Sequence, residues 1–486
     1  MRSGQKTGNR QRSNRIGRND NCFCGSKIKY KKCCLPKGLK PLGELDDAEK
    51  SDRENISSKR KRRQVLENKG IFIDLPNTIV FKDKSFLAVG NKIMWDDNPY
   101  STFHQLILKN LSQTLGEDWW NSESDKPKDE KHYIKKCFEE LSNYHNRKDL
   151  DSRKIDDNTH TMLATGDTQS LINLAFDVWL VAHRSLLPSD WVERLRDIKA
   201  YQGVRYEIAV ASLFVRIGCE LEFYDVKERN ESGGRIKRAE FVAVHKETKN
   251  KVAVEAKSRH VKGALNEPGQ LKYKNALKGD ITKLYKKAVL KETDGLPLIV
   301  FIDVNSPTKT GQTVQSTKWF TDVKTSFESR PKVSEASREK HSALFITNYS
   351  HHYQGDEISR SGQYLFIGSL YPVNAFSDGI NGDFMKKLQR AVSGYGYVPP
   401  TMDDSKTEAY EEPEGLDKQV FINKLRQLTS PDKVDPDYTK RKSESDDLVE
   451  MLVWDTTQKS GGDWDNKIAA ECYEQFRWLY QKQTAK

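Results

Sequence analysis

The chain has 486 residues, of which 36% are hydrophobic and 31% are charged. This length allows two to four domains, and this composition allows a buried core beside long polar stretches. No run of residues approaches the roughly 18 apolar residues that a membrane-spanning helix needs, and the basic N-terminus lacks the apolar segment of a secretory signal. We therefore expect a soluble, cytoplasmic protein with no membrane partner.

The net charge of +11 is concentrated at the N-terminus. Residues 1–40 contain twelve Lys or Arg side chains against Asp20 alone, so the rest of the chain balances its charges. Such a segment attracts nucleic-acid phosphates or an acidic protein partner, and residues 1–18 taken alone are equally typical of a solubilising disordered tail. We predict a basic disordered tail over residues 1–18, followed by a basic docking segment.

Four of the seven cysteines lie close together, namely Cys22, Cys24, Cys33 and Cys34. The other three are scattered singly, which favours a metal site plus free thiols over a disulfide framework. Four thiolates complete the tetrahedral shell of a structural zinc ion and leave no open position for catalysis. We predict that these four cysteines bind Zn²⁺ in a module over residues 19–40.

The sequence around these cysteines resembles the SEC-C module, a small zinc motif carried by many bacterial proteins. It matches the family pattern at Gly25, Ser26 and residues 29–31. It departs from the pattern at Phe23 and Lys27, where the family usually has Pro and Gly, and these positions affect turn geometry rather than zinc ligation. Because the module occurs on many different proteins, the resemblance implies zinc binding but no particular activity.

Further along the chain, residues 41–70 are predicted to be a charged linker or an exposed helix. Residues 71–197 are predicted to form a mostly helical domain that begins with short strands at Ile71–Leu75 and Thr78–Ala88. Residues 198–370 predict an α/β domain with a mixed sheet core flanked by helices. Its predicted elements are a helix at Val204–Ile217, strands at Glu220–Tyr224, Glu240–Val244 and Val252–Lys257, a helix at Gln270–Leu290, and strands at Leu298–Asp303, Ala343–Asn348 and Tyr364–Ile367. Residues 371–486 predict a linker at 401–445 and a final helix at Asp463–Gln483.

Two carboxylates and a lysine are predicted to converge in this sheet. Alternation along one strand places Glu255 and Lys257 on the same face, and the turn at 246–250 brings Glu240 opposite Glu255. Two carboxylates can hold Mg²⁺ or Mn²⁺, which polarises a scissile phosphate and lowers the pKa of a bound water. A lysine beside them can orient or deprotonate that water and stabilise the developing charge. The alternative for this fragment is an ion pair on an exposed hairpin.

A fourth candidate residue, Glu207, lies on the preceding helix. It is in register with Val210, Ala211 and Phe214, which places it on the apolar face of that helix. A carboxylate at such a position needs a cation, a metal ion or a hydrogen-bonding partner. The alternative is an acidic residue that stabilises the start of the helix through the helix dipole.

Residues 201–304 resemble the PD-(D/E)xK nuclease superfamily, which has the restriction-endonuclease-like fold. In that fold, a helix bearing an acid is followed by a strand bearing Asp, a strand bearing Glu-x-Lys, a second helix and a further strand. Glu207, Glu240, Glu255 and Lys257 occupy the four corresponding positions. The chain departs from the common pattern at Ala239-Glu240, where the superfamily most often has Pro-Asp.

The resemblance implies a bacterial, metal-dependent nuclease that hydrolyses phosphodiester bonds in DNA, in phage defence or repair. Glu240 and Glu255 would bind Mg²⁺ or Mn²⁺, Lys257 would assist the attacking water, and Glu207 would complete or support the metal site. Two other interpretations remain open. One is a zinc-bearing adaptor whose degenerate nuclease core binds without cleaving. The other is a purely electrostatic nucleic-acid-binding protein.

Overall fold

The structure is a computed structural model, and it describes residues 18–21, 27–37, 59–144, 147, 150, 153–154, 160–185, 187–224, 237–268, 271, 278–307, 320–321, 324–325, 341–359, 367–368 and 379–399. The chain divides into two compact units, residues 1–407 and 408–486, and the second unit lies outside the described residues. The predicted linker at 401–445 and the predicted helix at Asp463–Gln483 also lie outside them, as do residues 1–17 of the predicted tail.

The described residues of the N-terminal cysteine segment form a small folded unit. Asn21 pairs with Lys29 in an antiparallel bridge, and the backbone N–H of Tyr30 donates to the carbonyl of Asp20 at 2.8 Å. Two 3₁₀ helices follow, at Tyr30–Lys32 and Leu35–Lys37. The side chains of Tyr30 and Cys34 are buried and form the centre of this unit.

After helix α1 (residues 59–68), the chain forms an antiparallel sheet of β1 (Ile79–Phe81), β2 (Lys84–Val89) and β3 (Lys92–Asp96). The predicted strand over Thr78–Ala88 is therefore two strands joined by a turn. The predicted strand at Ile71–Leu75 is wrong. Ile71 and Leu75 are buried and Phe72 and Ile73 are half-buried, but the N–H of Phe72 donates to the carbonyl of Arg216. The backbone therefore pairs with a helix end and not with a strand.

Five helices follow within the predicted mostly helical region: α2 (Phe103–Leu115), α3 (Glu117–Ser124), α4 (Tyr133–Ser142), α5 (Gly166–Arg184) and α6 (Ser189–Arg196). The two-stranded sheet β4 (Arg153–Lys154) and β5 (His160–Thr161) lies between α4 and α5 in sequence. A capping box between Thr102 and Gln105 starts α2. Helix α5 is central, because Trp179 is fully buried with its ring centroid 5.2 Å from that of Phe103. Among the described residues, no helix is long and apolar enough to span a bilayer.

Helix α7 (Tyr201–Arg216) leads into a six-stranded mixed sheet with the order β11-β10-β9-β8-β7-β6. Its strands are β6 (Cys219–Phe223), β7 (Phe241–His245), β8 (Lys251–Ser258), β9 (Leu298–Asp303), β10 (Ala343–Thr347) and β11 (Ile367–Gly368). Strands β6, β7 and β8 form an antiparallel meander, β8, β9 and β10 are parallel, and β11 is antiparallel to β10. Helix α8 (Lys278–Ala288) lies between β8 and β9 in sequence. The mixed α/β sheet is thus confirmed, and strands β6 to β10 lie within one residue of the predicted bounds. Residues 270 and 272–277 of the predicted second helix and residues 364–366 of the predicted last strand lie outside the described residues.

The sheet has a helix layer on each face. Val254 and Phe301 belong to one hydrophobic cluster with residues of α5 and α7, whereas Ala253 and Ile302 belong to a second cluster with residues of α8. The first cluster also includes residues of α1, α2 and α9 (Gly382–Ser393). Buried residues on both sides of the predicted domain boundary at residue 197 therefore share one core.

A close backbone contact joins the end of α1 to α9. Gly70 has a φ of 77°, and a Cβ atom there would lie 2.4 Å from the Cα of Ala391. A Cβ atom on Gly394 would lie 2.1 Å from the carbonyl oxygen of Lys69. Only glycine fits at these two positions, because any side chain would overlap main-chain atoms.

Candidate active site

The hairpin of β7 and β8 positions the predicted carboxylates. Phe241 pairs with Val254, and the N–H of Glu240 donates to the carbonyl of Val254 at 2.9 Å, so Glu240 lies beside Glu255 at the start of β7. Val254 and Ala256 pack toward α7, and alternation therefore points Glu255 and Lys257 toward the α8 face of the sheet. The predicted opposition of Glu240 and Glu255 agrees with this register.

Lys257 joins the two carboxylates. Its Nζ lies 2.9 Å from Oε1 of Glu240 and contacts Oε1 of Glu255. The Glu255 side chain is fully buried, whereas those of Lys257 and Glu240 are 22% and 18% exposed. The three side chains thus form a cluster that is closed at Glu255 and reaches solvent at Lys257 and Glu240.

A second lysine, Lys291, also faces Glu255, and the sequence analysis did not identify it. Its Nζ lies 3.3 Å from Oε1 of Glu255 and donates to the carbonyl of Arg238 at 2.9 Å. A parallel bridge between Arg238 and Glu292 holds the segment after α8 beside the start of β7. This pairing of two loops brings Lys291 to the site, and no local sequence pattern marks it.

Glu207 has a different partner from the other two carboxylates. Arg194 of α6 donates two hydrogen bonds to it, from Nη1 to Oε2 and from Nη2 to Oε1, both at 2.6 Å. The predicted need of this buried acid for a cation is therefore met by an arginine that sequence reasoning missed. Glu207 makes no hydrogen bond or ion pair with Glu240, Glu255 or Lys257 among the described residues.

The electrostatics of the cluster follow from burial and charge. Burial raises the pKa of Glu255, and the neighbouring Glu240 carboxylate raises it further, while Lys257 and Lys291 oppose the shift. Burial also raises the pKa of Glu207, with Glu240 adding to it and Arg194 opposing. Burial disfavours the charge on Lys257, but Glu240 and Glu255 outweigh it and raise the pKa of Lys257 above its ordinary value. Lys257 is therefore a cation at neutral pH.

The carboxylate cluster offers few ligands to a divalent cation. Among the described residues, no group of three His, Cys, Asp or Glu side chains is arranged to hold a metal ion. Mg²⁺, however, is commonly bound by one or two carboxylates, with water and substrate phosphate as its other ligands. Glu240 and Glu255 supply two such carboxylates, and Oε2 of Glu255 is buried with no hydrogen-bond partner in the described part of the chain. These two carboxylates are the groups that could hold a largely hydrated Mg²⁺ or Mn²⁺.

The cysteine segment is a second candidate metal site. Cys22 and Cys24 lie outside the described residues, but Cys33 and Cys34 are described, and their Sγ atoms are 4.0 Å apart. Two ligands of one tetrahedral zinc ion, each with a Zn–S bond of about 2.3 Å, lie roughly 3.8 Å apart. The spacing of the two thiols therefore fits ligation of one zinc ion.

Residues 18–36 match the family of the SEC-C motif. The chain thus carries a SEC-C motif, as the resemblance of the sequence around its cysteines implied, and the match covers this segment alone. No curated protein and no solved structure matches the chain.

The turn of the SEC-C motif carries backbone strain. Lys27 has a φ of 58°, in the left-handed region where glycine is favoured. This is the position where the family pattern usually has Gly. The departure from the pattern therefore affects turn geometry, as the sequence indicated.

A separate polar network lies on the α7 face of the sheet, around the buried Asp303 at the end of β9. Its carboxylate accepts from Arg205 at 3.3 Å, from Ser258 at 3.2 Å and from the N–H of Tyr349 at 3.1 Å. Arg259 donates to the carbonyls of residues 304 and 305. These contacts tie the ends of β8, β9 and β10 together, which gives Arg205, Ser258 and Arg259 structural partners inside the protein.

Proposed function

We propose that this chain is a metal-dependent nuclease that hydrolyses phosphodiester bonds in DNA. The observation that carries the proposal is the convergence of Glu240 and Glu255, from two neighbouring strands, on the ammonium group of Lys257. Burying a carboxylate such as Glu255 costs desolvation free energy, so its position in the sheet favours a functional role over a surface ion pair. Phage defence or repair is the context that the superfamily resemblance suggests.

The topology supports the same proposal. An acid-bearing helix is followed by a three-stranded antiparallel meander, a second helix and a parallel strand, in the order that the restriction-endonuclease-like fold requires. Glu207 lies on the first helix, Glu240 at the second strand of the meander, and Glu255 and Lys257 on the third. The proposal therefore rests on both the order of the elements and the contacts among their side chains.

In the proposed reaction, Glu240 and Glu255 would hold the divalent cation. A bound Mg²⁺ or Mn²⁺ supplies Lewis-acid polarisation of the phosphate and lowers the pKa of a bound water. Because Lys257 is protonated, its part is to orient the attacking water or a phosphate oxygen and to stabilise the negative charge that develops on the phosphate. Arg194 holds Glu207 in one orientation and neutralises it, so the part proposed for Glu207 is limited to its electrostatic interaction with Glu240.

The direct test compares cleavage of plasmid and single-stranded DNA, with Mg²⁺ or Mn²⁺, by the wild type and by Lys257→Ala. We expect Lys257→Ala to lower the rate about 100-fold or more, the usual effect of removing one preorganised charge at a developing anion. Lys286→Ala is the matched control, because Lys286 is an exposed lysine of the same domain on α8. Equal activity of wild type and Lys257→Ala would refute the proposed roles.

A second candidate function is a zinc-bearing adaptor with a non-cleaving core. The observation that favours it is that Lys257, Lys291 and Arg194 already neutralise the three carboxylates without a metal ion. A Mn²⁺-soaked crystal distinguishes the two functions. Manganese between Glu240 and Glu255 supports the nuclease, and its absence together with absent cleavage supports the adaptor.

For the SEC-C motif, we propose a structural zinc ion bound by Cys22, Cys24, Cys33 and Cys34. Its thiolates leave no open coordination position, and its basic surroundings suit it to docking on nucleic acid or an acidic protein. Purified protein should contain one zinc ion per chain, measured by elemental analysis. Cys33→Ser should lose it and Cys472→Ala should keep it; full zinc content in Cys33→Ser would exclude this ligand set.

A further inference from the structure

A wide groove lies between the sheet β1–β3 and helices α2 and α5, in a part of the molecule that has no role in the proposed chemistry. Its volume is about 1000 Å³. Residues 89–95 of β2 and β3 form one wall, and residues of α2 and the end of α5 form the other. A groove of this size can hold several units of a linear polymer.

The charges that line this groove are all positive. Lys92, Lys109 and Arg184 line it, and none of the described residues lining it is Asp or Glu. Lys109 is paired with Asp96 at 3.2 Å, but Lys92 is exposed and makes no ion pair with a described residue. Arg184 donates to the main-chain carbonyl of Asp74, and because this acceptor is neutral the hydrogen bond does not offset the charge of Arg184. The groove therefore presents positive charge that a polyanion would neutralise.

The same groove also exposes apolar side chains beside its positive charges. Trp95 and Ile93 of β3 are 53% and 67% exposed, and both line the groove. Alternation places them on one face of the sheet, with Lys92 and the buried Met94 on the other, and Trp95 pairs across the strands with Phe86. An exposed indole ring beside cations is the combination that stacks nucleic-acid bases while the cations contact phosphates.

A polar group in the groove also lacks a partner. Asn110 of α2 lines the groove and is 6% exposed. Its Nδ2 donor has no hydrogen-bond partner among the described residues. A buried amide donor without an acceptor costs free energy, and a carbonyl or phosphate oxygen of a ligand would satisfy it.

We infer that this groove binds a single-stranded segment of nucleic acid that crosses the edge strand β3, with a base stacked on Trp95 on one face of that strand and phosphates contacted by Arg184 and by Lys92 on the other face. Single strands are favoured over duplexes because stacking on a side chain requires a base that is free of its complement. The choice of nucleic acid as the ligand rests on the proposed nuclease function. The groove would then hold the substrate strand outside the carboxylate cluster.

The test measures fluorescence anisotropy of a fluorescein-labelled 12-nucleotide oligothymidine with the full chain, in buffer that contains zinc but no magnesium. Trp95→Ala should weaken binding at least about fivefold, the lower end of the effect of one stacked base, while Trp95→Phe should retain most of the affinity. Lys92→Glu should also weaken binding and should lower the slope of log Kd against log salt by about one.

Two matched controls lie outside the groove on the same part of the molecule. Tyr100→Ala removes an aromatic ring that is 59% exposed, and Lys82→Glu reverses an exposed charge between β1 and β2. Both should bind the oligonucleotide within about twofold of wild type. Wild-type affinity in both Trp95→Ala and Lys92→Glu would overturn the inference. The inference would also be overturned if a polyglutamate peptide bound as tightly as the oligonucleotide, and if Lys92→Glu weakened that binding while Trp95→Ala did not. That result would mark the groove as a site for an acidic protein.

Failure of this inference can be separated from failure of the proposed nuclease function. If the oligonucleotide binds with the predicted losses but no DNA is cleaved, the groove stands and the nuclease proposal falls. If DNA is cleaved and the groove variants bind it like wild type, the groove inference falls alone.

Discussion

The pair formed by Arg194 and Glu207 allows a quantitative test of how the site is held. Replacing Arg194 with Met removes two hydrogen bonds of 2.6 Å from a carboxylate whose side chain is 8% exposed. Removing one partner of a fully buried pair costs about 3–5 kcal/mol. Because the Arg194 side chain is 34% exposed, solvent screens part of this loss, and we expect Arg194→Met to cost about 2–3 kcal/mol of unfolding free energy.

The double variant Arg194→Met/Glu207→Leu should be more stable than Arg194→Met alone, because it leaves no unpaired charge in the core. Urea unfolding, followed by tryptophan fluorescence and circular dichroism, measures the free energies of the wild type, both single variants and the double variant. Arg196→Met is the matched control, since Arg196 is an exposed arginine of the same helix, and it should change stability by less than about 0.5 kcal/mol. If the free-energy losses of the two single variants simply add in the double variant, the two residues are not coupled and the reasoning is wrong.

Three further predictions concern single positions. Lys27→Gly should relieve the left-handed strain and stabilise the zinc-bound motif by about 1 kcal/mol, seen as roughly fivefold slower loss of zinc to a chelator; an unchanged rate would contradict it. Gly70→Ala should lower the unfolding free energy by about 3 kcal/mol, because its Cβ would overlap the backbone of α9. Gly279 lies on α8 with open space around it, so Gly279→Ala should not lower the unfolding free energy. Equal urea midpoints of the two variants would contradict the prediction. Lys291→Met should strengthen Mn²⁺ binding about tenfold in a titration followed by electron paramagnetic resonance, because it removes a positive charge 3.3 Å from Oε1 of Glu255. The titration is run well above pH 7, because burial raises the pKa of Glu255 to about 7 and Lys291 opposes that rise; an unchanged Kd would show that Lys291 does not compete with the cation.

The sequence predicted much of the mixed sheet, because its signals are local. The run Leu298–Asp303 is a strand with the predicted bounds, and it is buried along its whole length, as its continuous apolar composition indicated. The short turn at 246–250 limits how two neighbouring strands can pair, so the opposition of Glu240 and Glu255 followed from spacing and alternation. The prediction at Ile71–Leu75 failed because apolar composition reports burial and does not report which backbone supplies the hydrogen bonds.

The partners of the candidate site residues could not be predicted in the same way. Arg194 lies on a different helix from Glu207, and Lys291 follows a helix that separates it from Glu255 in sequence. Both are ordinary basic residues in polar surroundings, and long side chains of this kind are usually solvated. Their contacts depend on how helices and loops pack, which no periodicity encodes.

The sequence by itself determined the SEC-C motif, the order of the sheet elements and the candidate residues Glu207, Glu240, Glu255 and Lys257. These depend on residue patterns that are local to each element, and on the resemblance of their order along the chain to known families. Only the tertiary structure decided that Glu255 is completely buried, that Glu207 is bound by Arg194, and that a basic groove opens beside Trp95. The physical reason is that burial and charge pairing are set by elements far apart in the chain, whose packing is decided by the whole core.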